Sequence, residues 1–165
     1  MDKLLEQLVD ILKSESALHQ DLLKTANALN EALKAKDLDS IESCTSIHDE
    51  QVYQIGRLEE KRIECTCEIA GLLKINEEYP KMDCLLQRIP QKWRTSLSEL
   101  QLKLREQIRE LSNINTSNRI LLQEGISFIN SNILMFQSSP RTHQYGGKGK
   151  SAVIATGRNL INKVV

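Results

Sequence analysis

Four cysteines and three histidines are the side chains of this 165-residue chain best suited to metal, redox or nucleophilic chemistry. Cys65 and Cys67 stand two apart, so on a helix they point about 200° from each other and cannot share an ion. No second cysteine pair follows at zinc spacing. Cys44 and His48 are four apart and supply at most half a site; a structural pair is the plainer account. A di-iron bundle would need Glu-x-x-His on its helices, and the chain has none. His19, His48 and His143 have no serine or cysteine arrangement around them that forms a nucleophile relay. The segment Gly146-Gly147-Lys148-Gly149-Lys150-Ser151 approaches a phosphate loop, but Gln144 occupies the place of the motif's first glycine and no strand precedes it. The residues therefore predict no enzyme, no cofactor and no metal.

What such a chain must position is surface, not a reaction centre. Only 4% of residues are aromatic, 27% are charged, and there are seven glycines and three prolines. That composition belongs to long helices. Leu4, Leu5, Leu8, Ile11, Leu12, Leu18, Leu22, Leu29 and Leu33 fall on one helical face. The pattern resumes from Ile41 to Leu72, behind an expected capping box of Asp39 and Glu42. Asn76 to Pro80 breaks it. A short helix over 82–88 follows, and Pro90 starts a long periodic segment, Gln91 to Gln137, of roughly 70 Å at 1.5 Å per residue. The prediction is all-α: an elongated antiparallel three-helix bundle with coiled-coil-like packing over residues 1–137, its helices at 3–34, 39–74 and 91–137. A flexible, basic, glycine-containing tail covers 138–165.

The last long helix changes character halfway. Trp93, Leu97, Leu100, Leu104, Ile108 and Leu111 make a narrow seam. Beyond them, three apolar columns run at heptad spacing: Ile114, Leu121, Phe128 and Met135; Leu122, Ile129 and Phe136; Ile126 and Ile133. Together they span roughly 160° of the circumference, wider than one packed face requires. Asn118, Gly125 and Asn132 run down the middle. Two accounts fit. The arc contacts two sister helices, with the asparagines fixing register, or part of it receives an amphipathic client helix. Periodicity alone does not separate them.

All 22 acidic residues precede Pro140, against 17 basic ones, while Arg141 to Val165 holds five bases and no acid. The tail is either a solvated terminus or a segment with its own partner. Val153, Ile154, Gly157, Leu160, Ile161, Val164 and Val165 form an amphipathic pattern too short to be helical alone in water. It is expected to fold on contact, with a partner or with the body, where it would compete with a client. One tyrosine among five bases and a net charge of zero speak against nucleic acid. No apolar run approaches the roughly 20 residues of a membrane span. With no signal-peptide pattern at Met1-Asp2-Lys3, reduced cysteines and a cytosolic location are expected.

Gln91-Lys92-Trp93-Arg94, Leu111, Asn115-x-x-Asn118, Leu121-Leu122, Glu124-Gly125 and, after the helix, Tyr145-Gly146 resemble the FlgN family of flagellar type III export chaperones. Length, helical plan and glycine-rich basic tail agree with it over the whole chain. The resemblance implies a cytosolic chaperone that binds the C-terminal helical segments of the hook–filament junction proteins FlgK and FlgL. It prevents their premature assembly and delivers them to the export gate. The implied client surface is Ile114, Asn118, Leu121, Leu122, Gly125, Ile126, Ile129, Ile133 and Phe136. Tyr145, with Gly146, is the implied contact for the cytosolic domain of the gate protein FlhA. Against it stand a non-catalytic coiled-coil scaffold or adaptor closed by self-association, and a four-helix regulatory protein closed by its own tail.

Overall fold

The computed structural model of the protein describes residues 1–75 and 80–137, together with residues 144–145 and 151–152. Four helices follow in chain order: α1 (Asp2–Ala35), α2 (Leu38–Leu72), α3 (Met82–Arg88) and α4 (Gln91–Gln137). Gln144–Tyr145 (β1) and Ser151–Ala152 (β2) form a two-residue antiparallel pair, Gln144 opposite Ala152 and Tyr145 opposite Ser151. Two compact units result, Met1–Gln123 and Glu124–Val165. Residues 76–79 of the predicted break and the amphipathic segment 153–165 lie outside the described residues.

The link between α1 and α2 is very short. Lys36 takes a left-handed conformation, φ 57°, and the N–H groups of Lys36 and Asp37 donate to the Leu33 and Ala32 carbonyls at 3.2 and 3.0 Å. These bonds satisfy carbonyls that a helix end leaves without partners. Asp37 then caps α2, accepting from the Ser40 N–H at 3.3 Å and the Ser40 hydroxyl at 2.6 Å. The start of α2 is thus two residues before the expected box at Asp39 and Glu42. Asp39 falls in the first turn instead, where its charge meets the positive helix end.

In the first unit α1 is the central helix. It runs antiparallel to α2, with Glu15 meeting Arg62 and the Leu4 carbonyl meeting Cys65. It runs parallel to α4, meeting it at Asp2–Lys92, Ser16–Gln107 and Asn30–Asn118. This up–down–up course is the predicted antiparallel bundle of three long helices, with α3 as an additional member. Near the end where Asp2 meets Lys92, α3 lies antiparallel to α4. Asp83 accepts from Gln101 at 2.9 Å and from Arg105 at 3.0 Å, while the Arg94 guanidinium donates to the Ile89 carbonyl at 3.2 Å.

The core gathers at that end. Leu5, Leu8 and Leu12 of α1 pack with Cys65 and Ile69 of α2, Leu85 and Ile89 around α3, and Leu97 and Leu104 of α4. Burying each large aliphatic side chain fully contributes about 1.5–3 kcal/mol. Beyond α3 the burial thins: from Leu38 to Glu64, α2 contributes no buried side chain.

Candidate protein-binding surface

The candidate residues on α4 divide by burial. Ile114 and Leu121 are half-buried. Asn118 is only 4% exposed, and both ends of its amide bond to α1. It accepts from Asn30 Nδ2 at 2.7 Å and donates to the Ala26 carbonyl at 3.0 Å. Its role in the structure is therefore the register of α1 against α4, the first of the two accounts of the asparagines. Ser16 and Gln107 make a second polar rung. The Ser16 hydroxyl donates to Gln107 Oε1 at 3.1 Å, and Gln107 Nε2 donates back to the Ser16 carbonyl at 3.1 Å. Paired on both sides, such buried amides carry no desolvation debt, and they penalise any slip of one helix along the other.

From Asn30 opposite Asn118, α1 has five residues left before it ends at Ala35. In parallel register that brings its last residue level with about Gln123. Leu122, one residue earlier, is already exposed.

The second unit begins on the same helix. Ile126, Phe128, Ile129, Ile133, Leu134, Met135 and Phe136 are all exposed, Phe136 at 83%. Of the residues from Glu124 to Phe136 only Asn132 is half-buried. Gly125 is exposed as well, and a methyl group added at its Cα would meet nothing within 4 Å. Of the candidate set, Gly125, Ile126, Ile129, Ile133 and Phe136 thus share one exposed stretch. Leu134 belongs to it by exposure and was not among the columns found in the sequence. Its position, one residue beyond Ile133, gives a periodicity argument nothing to find. Tyr145 lies in β1; Gly146 is outside the described residues.

Contiguous exposed apolar surface on a folded chain marks a place where a partner sits. Leu, Ile and Phe at helical spacing are the anchors by which one amphipathic helix receives another. No acid, base or nucleophile lies among these anchors. Among the described residues no group of three or more His, Cys, Asp or Glu side chains could hold a metal, and no helix is long and apolar enough to cross a membrane.

Among the described residues, the carboxylates shifted from their ordinary values lie in the first unit. Burial pushes the Glu15 carboxyl up from its ordinary value, and the Arg62 guanidinium, 3.1 Å away, offsets only part of that. The hydrogen bonds from Gln101 and then Arg105 hold Asp83 below its ordinary value. Hydrogen bonds from Lys92 and Trp93 lower Asp2 in the same way.

Comparison with known proteins gives one finding. A family model described as "FlgN protein" matches residues 1–152, most of the chain and both units of α4. No curated protein and no solved structure matches.

Proposed function

The chain belongs to the FlgN family of flagellar export chaperones, and from that premise we propose that it binds the C-terminal helical segments of the junction proteins FlgK and FlgL on the exposed end of α4. Chaperones of this family bind hook-associated proteins in general; FlgK and FlgL are the clients proposed for this chain, and FlhA the place of delivery. The observation that carries it is the run of exposed apolar side chains Leu122, Ile126, Ile129, Ile133 and Phe136 on one helix. Ile114 and Leu121 precede that run on the same helix, Gly125 leaves room for a close helix, and Asn118 holds its own turn of α4 against α1.

The chemistry suits a carrier that must release its cargo. A client segment that orders on binding can bury on the order of 1,000–3,000 Å², with about 2–5 kcal/mol or more spent on its ordering. Binding of that kind is selective and reversible. Held on α4, the client's own apolar face is hidden and premature assembly is blocked. Tyr145, in β1 and so on a separate element from the client face, is assigned together with Gly146 to docking on the cytosolic domain of FlhA, so a loaded chaperone can present its client there.

Calorimetric titration of the full chain with the FlgK and FlgL C-terminal segments tests this. Saturable binding near one-to-one is expected, weakened by Leu122→Asp or Ile129→Asp and unchanged by Tyr145→Ala. Absence of heat and of a complex on gel filtration, from a folded protein, would overturn it. A homodimer in light scattering that is broken by Ile129→Asp would instead favour a self-associating coiled-coil scaffold, since a second copy would then cover the same face.

A further inference from the structure

In the first unit the space between α2 and α4 is filled by α3 near one end of the bundle and by no described element beyond it. α3 enters that space at Lys81–Asp83, and directly past this point lies an open cavity of about 390 Å³. Leu12, Glu15 and His19 of α1 form its floor. Ile55, Glu59 and Arg62 of α2 form one wall, and Gln101, Leu104, Arg105 and Ile108 of α4 the other. Above Arg105, the side-chain hydrogen bonds between α4 and the other described helices run to α1, through Gln107, Ser117 and Asn118. Nothing among them ties α4 to α2. The two walls are left standing on either side of α1.

We propose that this slot is a second seat for the client of the preceding section: an aliphatic helical segment lies end to end with α3, in the fourth position of the bundle. The inference rests on that reading of function and adds a contact surface to it. Continuity with the seat of α3 is the main argument. α3 shows what the space between α2 and α4 accepts, namely a helix that offers Met82, Leu85, Leu86 and then Ile89 to the core. The slot beyond offers Ile55, Leu104 and Ile108 to such a helix, and Ile108 is 52% exposed although the apolar period placed it in the packed seam.

The charges around the slot refine the chemistry. Arg62 is already paired with Glu15 and Glu59, and Arg105 with Asp83. His19 Nδ1 is 2.9 Å from the Glu15 carbonyl. Among the described charged lining residues only Lys81, at the α3 end, stands outside these ion pairs, so along the rest of the slot the fit is to an uncharged face carrying Leu, Ile or Met at helical spacing. From Leu12 to His19 the floor runs roughly 10 Å, which seats about two turns of a client helix.

The test is site-specific photocrosslinking in the full chain with the same junction-protein segments as probe. Benzoylphenylalanine would replace Ile108 or Val52, the latter on α2 three residues, just under one turn, from Ile55. Leu102, equally exposed but two residues from Leu104 and so about 200° round α4, serves as the reference. Crosslinks to the client from positions 52 and 108 and none from 102 are expected. Ile108→Asp and Val52→Asp should each weaken the titrated affinity about tenfold, with helix content unchanged, and Leu102→Asp should leave it alone. If Ile129→Asp weakens binding while Ile108→Asp and Val52→Asp do not, the client is held by the end of α4 alone; the slot inference falls and the function stands. Adducts of the chain with itself from position 108 would also overturn it. If no client binds the unaltered protein, the proposed function fails first.

Discussion

Asn30 on α1 donates its side-chain amide to Asn118 on α4 across 2.7 Å, in a buried contact between residues 88 apart in sequence. Asn118 returns a hydrogen bond to the Ala26 carbonyl, so one asparagine bridges two residues about one turn apart on the neighbouring helix. Asn118→Ala removes both bonds, leaving the Asn30 amide only Ser117 Oγ at 3.2 Å and the Ala26 carbonyl only its partner within α1. A loss of about 1–3 kcal/mol is expected from chemical denaturation. Asn30→Leu with Asn118→Leu removes both partners and should recover much of that loss, at the expense of a single register.

Leu97 is fully buried among α1, α2 and α3. Leu97→Ala is expected to cost about 2–5 kcal/mol. The chain has one tryptophan, Trp93, whose indole N–H donates to Asp2 at 3.2 Å. Its fluorescence therefore reports the same end of the bundle, and the urea midpoint followed at that wavelength measures the loss.

Glu15 sets a pH dependence of unusual sign. Its folded pKa is raised, so between the unfolded value of about 4.3 and the folded one the native state holds more protons than the unfolded state. Stability then falls as pH rises through that window. Glu15→Gln keeps an acceptor for Arg62 and removes the charge. Its stability relative to the unaltered protein should be lower at pH 4 than at pH 7, by denaturation at both. A difference independent of pH would contradict the role given to burial.

Gly125 is the weakest helix former in the exposed stretch of α4, and a methyl group there meets open space. Gly125→Ala should stabilise the helix by about 1 kcal/mol at most, visible as increased ellipticity on heating. Should a client helix approach the backbone at this point, Gly125→Val will weaken FlgK or FlgL binding while Gly125→Ala leaves it nearly intact. Equal affinities for both would place the client's closest approach elsewhere.

The helices were legible because apolar spacing reports which side of each one is buried. The bounds of α3 and α4 follow directly from Pro80, Pro90 and the period between them. The capping position was not, since Asp37 and Asp39 are both competent caps and only the turn at Lys36 selects between them. The face of α4 was legible, its occupant was not. Asn118 and Gly125 lie in one heptad column, yet the first is sealed against α1 and the second is bare. That difference depends on where α1 ends, and periodicity within α4 carries no information about the length of another helix. Ile108 shows the same limit: it continues the seam of Leu97 and Leu104, but α3 stops short of it.

The parallel pairing of α1 with α4 also orders events on the ribosome. Contacts between α1 and α2 join neighbours along the chain, and the hairpin they form is finished once Leu72 has emerged. The rungs at Ser16–Gln107 and Asn30–Asn118 close loops of about ninety residues, the slower kind of contact to make. For the time it takes to synthesise the fifty residues between them, α1 presents a bare flank, and at about 5–20 residues per second that interval lasts several seconds. Nascent chains of this protein are accordingly at their stickiest midway through translation, and α4 ends that exposure by arriving last.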